Sequence, residues 1–336
     1  MSEAPIQHGG GISAAAARHG GRPEEWLDLS TGINPCPVRL PPVDAAAWHR
    51  LPDQSRLSKA RLAAATYYRS GNCLPLPVPG TQAVIQLLPR IVPPGRRAAV
   101  VSPTYGEYGR VLRNAGLAVD AIDSLEGVRD EHALVVVVNP NNPDGRLYPS
   151  EELLRLWRSL SEAGGTLVVD EAFADIEPSA TLAPLAGAGK GLVVFRSFGK
   201  FFGLAGLRLG YVLGEEALLA DIAEWLGPWA VSGPALTISA GLMTGDCEPI
   251  RQAIRERKAA LDAVLQAAGL RIAGGTPLFS LVEHEQAQNL QEWLCSRHVL
   301  VRAFDYDRRW LRFGLAPDAA ADMRLAEALA SFGSDP

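Results

Sequence analysis

The chain has 336 residues, 47% hydrophobic and 21% charged, the balance of a soluble globular protein with a sizeable core in one large or two ordinary domains. A net charge of −5 excludes a polyanion-binding surface, so no nucleic-acid partner is expected, and no apolar run approaches the ~18 residues that would cross a membrane. Four scattered cysteines (Cys36, Cys73, Cys247, Cys295) without a CxxC pair exclude a disulfide or zinc framework, six histidines without HxxxH spacing give no metal, and Met1–Pro5 lacks the start of a signal peptide, so a cytoplasmic protein is expected.

Residues 1–35 are rich in glycine and polar groups. His8-Gly9-Gly10-Gly11 is a loop, Ser13–His19 a short helix ended by Gly20-Gly21, and Leu27–Pro35 a brief strand running into an irregular turn. Residues 36–55 carry many prolines and read as a connecting arm, and Leu57–Tyr68 reads as a helix. Pro79-Gly80-Thr81-Gln82 opens a helix over Ala83–Leu88 that Pro89 stops. A strand at Ala98–Val101 ends near Tyr105. Another at Leu134–Val138 ends in Asn139-Pro140-Asn141-Asn142-Pro143-Asp144-Gly145. Ser150 is expected to cap a helix with Glu151 and Glu152 in its first turn, closed by Gly164-Gly165. The strand Thr166–Val169 runs into Asp170-Glu171-Ala172-Phe173, and the strand Leu192–Phe195 into Arg196-Ser197.

Apolar runs separated by helices predict a parallel α/β sheet, with ligands beyond the carboxyl ends of its strands. Tyr105, Asn142, Asp170, Ser197 and Lys200 all fall there. After Val212 the chain turns more helical. A long helix at Glu248–Ala268 leads to strands near Phe279–Val282, Leu300–Arg302 and Trp310–Gly314, with helices at Gln288–Arg297 and Ala319–Phe332. This predicts an N-terminal arm over 1–49, a large domain over 50–240 and a smaller α+β domain over 241–336.

The chemistry centres on Ser197-Phe198-Gly199-Lys200. Lys200 is one of only four lysines, placed just past a buried strand in a glycine-broken loop. Held among Phe198, Phe201 and Phe202, its amine is expected to be partly desolvated, which lowers its pKa as Schiff-base chemistry requires. Ser197 and Arg208 are good phosphate partners. Each remaining element is ordinary alone. Gly80-Thr81-Gln82 can cradle a phosphate or simply start a helix. Asp170 can be a buried carboxylate facing a cation or a cap, Asn142 a donor or a turn residue, and Tyr105 a stacking ring or a core residue.

In order and spacing these elements are more specific. A phosphate loop, an aromatic, Asn142-Pro143-Asp144-Gly145, Asp170-Glu171-Ala172, Ser197 with Lys200, and Arg208 together resemble the signature of fold-type I pyridoxal-phosphate enzymes. The resemblance implies an α/β fold, a large domain with a mostly parallel central sheet flanked by helices plus a smaller α+β domain. It implies pyridoxal 5'-phosphate as cofactor, bonded to Lys200, its ring nitrogen on Asp170 and its ring hydroxyl on Asn142. Tyr105 would stack on the ring, and Gly80, Thr81, Gln82, Ser197 and Arg208 would hold its phosphate. A homodimer is implied too, although the Arg-Tyr-Pro stretch by which relatives reach a neighbour's cofactor is Arg50-Leu51-Pro52 here, and a tyrosine common after the aspartate is Phe173.

His8-Gly9-Gly10, Leu27–Pro35, Gly206–Tyr211 and Pro228–Ser232 are most similar to the threonine-phosphate decarboxylases of cobalamin biosynthesis, and next to histidinol-phosphate aminotransferases. The first family implies a phosphorylated amino acid as substrate, L-threonine O-3-phosphate. His8, Gly9 and Arg302 would then hold its phosphate, and Gly32, Asn142 and Arg312 its carboxylate. The amide synthase that forms cobinamide would take the product downstream. Two other readings stay open: an aminotransferase of a phosphorylated amino compound, and a scaffold that binds the cofactor without turnover.

Overall fold

The computed structural model describes residues 6 and 8–332; Met1–Pro5, read above for a signal peptide, lie outside them. The chain divides into two compact units. The first comprises Val38–Asn142 and Leu147–Glu248; the second comprises residues 6 and 8–37, Pro143–Arg146 and residues 249–332.

The first unit is built on a seven-stranded sheet, in hydrogen-bonded order Leu76–Val78, Gly210–Gly214, Leu192–Ser197, Thr166–Asp170, His132–Val138, Arg97–Val101 and Val119–Ile122. Its middle strands are apolar on both faces: Leu134–Val137, Leu167–Val169 and Val193–Phe195 are fully buried. Each such side chain contributes roughly 1.5–3 kcal/mol of burial, which is why these strands read clearly as unbroken apolar runs. The helix Ser150–Glu162 turns Leu153, Trp157 and Leu160 inward. The helix Gln54–Tyr68 lays Ala60, Ala63 and Ala64 against the unit's interior and packs on Gly233–Met243.

Some elements differ from expectation. The sheet is mixed, because Gly210–Gly214 runs antiparallel to both neighbours. The link from Ser197 to Gly210 holds only the short turns Phe198–Phe201 and Ala205–Leu207 and no crossover helix, and the chain doubles back. That link begins with one helical turn, Phe198–Phe201, so Lys200 stands on a helix rather than in an open loop. The arm contains a helix, Ala45–His49, capped by the Asp44 carboxylate on the Ala47 N–H. Ser150 occupies the first helical position after the Pro149 cap, so its hydroxyl makes no cap bond. The helix expected over Ala83–Leu88 is Thr81–Ile85, followed by a 3₁₀ turn at Leu88–Ile91.

The second unit carries a four-stranded antiparallel sheet, in order Arg302–Ala303, Trp310–Gly314, Phe279–Glu283, Arg271–Thr276. Helices Glu248–Ala267, Ala287–Ser296 and Ala319–Ala330 belong to it, as does Ile12–His19. The stretch expected as one strand at Leu300–Arg302 is two. Val299–Leu300 pairs in parallel with Leu27–Asp28, and Arg302–Ala303 pairs with Trp310–Gly314, the chain changing sheets at Val301. Among the described residues no helix is long and apolar enough to cross a membrane.

Candidate active site

In the first unit three strand ends stand side by side, because Val138 is in register with Asp170 and Asp170 with Phe195. Asp170, the last residue of its strand, is 5% exposed. The Tyr108 hydroxyl donates to its Oδ2 at 2.7 Å and the Ala172 N–H to its Oδ1 at 3.0 Å. Burial raises its carboxyl to about 6, opposed by those two bonds and by the charge of Lys200. Phe198, Phe201 and Phe202 turn into the core and pack on one another, with centroids 4.4 and 4.9 Å apart. The ring beside the half-buried Lys200 amine is Phe173 instead, 5.9 Å from its centroid to Nζ. Behind the two strand ends, Arg196 donates to Glu171 at 2.7 Å, pairs with Asp175 at 3.0 Å and lies 4.6 Å over the Tyr68 ring. This buried ion-pair cluster ties the segment after Asp170 to the strand that precedes Lys200.

A second cluster gathers Gly80, Thr81, Ser197 and Arg208. Gly80 has φ +76°, and a Cβ built on it would stand 2.7 Å from Arg208 Nη2. Ser197 is paired with Gly210 across the ladder, and a Cβ on Gly210 would lie 3.0 Å from the Thr81 N. The Thr81 backbone, the end of the strand bearing Ser197 and the Arg208 guanidinium thus converge. Gln82 orients the neighbouring aromatic: its Oε1 accepts from the Tyr105 hydroxyl at 3.0 Å while its Nε2 donates to Glu107 at 2.9 Å. Burial, then Glu107 and Asp170, push Tyr105 up to about 12. Asn142 is half-buried in a turn whose neighbours are fixed: Asn141 takes Thr104 Oγ1 at 2.5 Å and donates to the Pro103 carbonyl, and Asn139 exchanges two bonds with the Tyr148 backbone.

In the second unit Arg302 stands directly opposite Arg312 across the antiparallel pair. Like charges so placed repel unless an anion joins them. Arg312 is buried, donates to the Ser30 carbonyl at 2.8 Å and lies 4.9 Å over the Phe279 ring; burial, then the Arg302 charge, bring it down to about 10. Gly9 is pressed on Ser30, since a Cβ there would meet the Ser30 oxygen at 2.4 Å. A cleft of about 440 Å³ is lined by His8, Gly9, Arg302, Arg308, Arg18 and His19 among others. Arg312 and the buried Gly32 do not line it, and Ser30 does. Sequence reasoning missed Tyr108, Ser30 and Arg308. Tyr108 stands three residues beyond Tyr105, and Ser30 lies inside the motif at Leu27–Pro35.

Residues 26–329 match the family described as aminotransferase class I and II. The chain belongs to that family. Among class I and II relatives, the threonine-phosphate decarboxylase of a Sinorhizobium species is 62% identical over 327 residues, 97% of this chain and 98% of the relative. The threonine-phosphate decarboxylase of Pseudomonas aeruginosa is 43% identical over 97% of this chain and 98% of its own length. Among solved structures, the histidinol-phosphate aminotransferase of Sinorhizobium meliloti in complex with pyridoxal-5'-phosphate superposes with a TM-score of 0.82 at 21% identity, covering 98% of this chain and 95% of that one.

The residues present fit such a cofactor. A class I and II site must hold a phosphate, and the Cβ-free Gly80 leaves room for Arg208 to stand against the start of the Thr81 helix. It must also face a cationic ring nitrogen, and Asp170 is a buried acid.

Proposed function

We infer that this chain is a pyridoxal 5'-phosphate-dependent decarboxylase of L-threonine O-3-phosphate. It releases carbon dioxide and yields (R)-1-aminopropan-2-ol O-phosphate for the nucleotide loop of cobalamin. The observation that carries this reading is the 62% identity to a threonine-phosphate decarboxylase over 97% of the chain. The paired Arg302 and Arg312 support it, since a substrate bearing both a carboxylate and a phosphate needs two cationic partners.

The cofactor, when bound, supplies a conjugated ring that draws in the electron pair left on Cα as the carboxylate departs. Lys200 Nζ would hold the cofactor covalently in the resting enzyme, and its amine would be the group that supplies a proton to the substrate's Cα. The Asp170 carboxylate would accept a hydrogen bond from the ring nitrogen, and Asn142 would donate to the ring hydroxyl. The backbone of Gly80, Thr81 and Gln82, the Ser197 hydroxyl and the Arg208 guanidinium hold its phosphate, while Tyr105 packs on the ring. Phe173 adds an apolar wall and no hydroxyl. Arg312, Asn142 and the Gly32 backbone would hold the substrate carboxylate, and fixing that group is how the protein would choose which bond breaks. His8, Gly9 and Arg302 hold the substrate phosphate.

The enzyme works as a cytoplasmic homodimer and passes its product to an amide synthase that forms cobinamide. Four free thiols suit a reducing compartment. Exposed Trp48, Leu51 and Trp229 suit a dimer.

The test is incubation of the purified, cofactor-loaded chain with threonine phosphate. Carbon dioxide should appear without any keto acid, and Lys200→Ala should abolish it. Amine loss that depends on 2-oxoglutarate would make the chain an aminotransferase instead, and no product with either partner would make it a scaffold.

A further inference from the structure

We propose that Ser30 is a positioning residue that sets the spacing between the two anion-holding parts of the second unit. The inference rests on the reading of Arg312 as the carboxylate partner and of His8, Gly9 and Arg302 as phosphate partners.

Ser30 is 2% exposed and both of its polar ends are used. Its hydroxyl donates to Asp28 Oδ1 at 2.5 Å and accepts the Gly10 N–H at 2.7 Å. Its carbonyl oxygen accepts Arg312 Nη2 at 2.8 Å. The same oxygen leaves no room for a side chain on Gly9. One residue therefore grips the His8–Gly10 backbone on one side and the Arg312 guanidinium on the other. It also stands at the boundary of the cleft: Ser30, His8, Gly9 and Arg302 line it, and Arg312 does not.

Asp28 fixes the arrangement. Its Oδ1 takes both the Ser30 N–H at 2.8 Å and the Ser30 hydroxyl, so the serine rotamer is locked. The hydroxyl proton then points at Asp28, and a lone pair is left for Gly10. Asp28 itself lies on the short strand paired with Val299–Leu300, two residues before Arg302. The phosphate partners and the carboxylate partner are in this way referenced to one peptide. Such a clamp measures the distance between two anions on one molecule. A ligand with only one anion has nothing to measure and depends little on Ser30.

The experiment compares holoenzyme and Ser30→Ala. Four quantities are read: KM and kcat for threonine phosphate, the inhibition constant of O-phosphoethanolamine, which has the phosphate alone, and that of L-threonine, which has the carboxylate alone. Loss of one locking hydrogen bond should raise KM about tenfold. Each half-ligand should shift by less than about threefold, and cofactor affinity should hold, which also reports that the variant is folded. Asp28→Asn keeps an acceptor oxygen for Ser30, so its KM should rise less than that of Ser30→Ala. An unchanged KM in Ser30→Ala overturns the inference, as does an equal weakening of both half-ligands, the mark of a merely structural serine. A loss in Asp28→Asn equal to that in Ser30→Ala overturns it too, by assigning the effect to charge beside Arg312. Failure of the wild type to decarboxylate threonine phosphate would sink the underlying reading instead, before any variant is made.

Discussion

Tyr108 decides how easily Asp170 can serve a cationic ring. Burial alone favours the neutral acid, and the carboxyl is raised to about 6 even with Tyr108, the Ala172 N–H and the Lys200 charge drawing it down. Glu171 pushes the same way as burial, while Tyr105 and Tyr108 stay neutral because burial holds both hydroxyls above their ordinary range. Above about 6 the empty site holds a carboxylate, and below it a proton must leave before the ring nitrogen can be met, so cofactor affinity should fall as pH drops through that value. Tyr108→Phe removes a donor to a charged group, about 1.5–3 kcal/mol, which at 1.36 kcal/mol per unit raises the Asp170 carboxyl by about one to two units. The acid limb of the cofactor dissociation constant, followed by equilibrium dialysis against pH, should move up by that amount. A limb that stays where it was would show that the hydroxyl contributes nothing to the acid. The positions of Asp170 and Lys200 were legible because Asp170 ends one unmistakable apolar strand and Lys200 follows the next by three residues. Tyr108 was not, because a second aromatic three residues after the first has the spacing of any core-facing helix.

At the level of elements, the sharpest geometry is where the start of the Thr81–Ile85 helix meets Arg208. Gly80→Ala would place a methyl 2.7 Å from the guanidinium at φ +76°. With ψ +148° this backbone lies in a region essentially reserved for glycine and costs an alanine about 1–3 kcal/mol, and the arginine end, being flexible, yields rather than the backbone. The expected result is a protein that still folds, melts a few degrees lower and binds cofactor about ten- to a hundredfold more weakly, as loss of one charge-assisted phosphate contact implies. Wild-type affinity in a calorimetric titration would remove Arg208 from the phosphate's partners. The long apolar strands and the terminal helices could be read from periodicity, Trp310–Gly314 to the residue. The reversal into Gly210–Gly214 could not, since an apolar run reads the same whichever way its strand points. Nor could the break at Val301, where two short strands that join different sheets look like one.

For the molecule as a whole, each unit carries its own chemistry. The first gathers an amine, a buried acid and the Gly80–Arg208 cluster; the second gathers facing arginines and a cleft lined by Arg18, Arg302 and Arg308 with Glu292 and Asp305. Neither explains the apolar surface on the first unit. Trp48 and Leu51 are each 65% exposed and Trp229 59%. They flank a packed pair, because helix Ala45–His49 meets helix Gly233–Met243 so closely that a Cβ on Gly233 would touch the Ala47 carbonyl at 2.4 Å. An indole has roughly 150–250 Å² to bury, worth about 4–6 kcal/mol at ~25 cal/mol/Å². Two copies hiding both indoles and Leu51 would gain far more than the polar rim alone could give. Leu51 offers only an apolar side chain, so in the proposed dimer it would seal rather than hydrogen-bond. Trp48→Asp with Leu51→Asp places two charges on that surface and should convert a sedimenting dimer into a monomer of unchanged far-UV circular dichroism. If the neighbour only seals the site, the monomer should keep its cofactor in dialysis while losing most carbon dioxide release. A wild-type chain that sediments as a monomer at micromolar concentration would end the dimer proposal and leave the exposed tryptophans to some other partner.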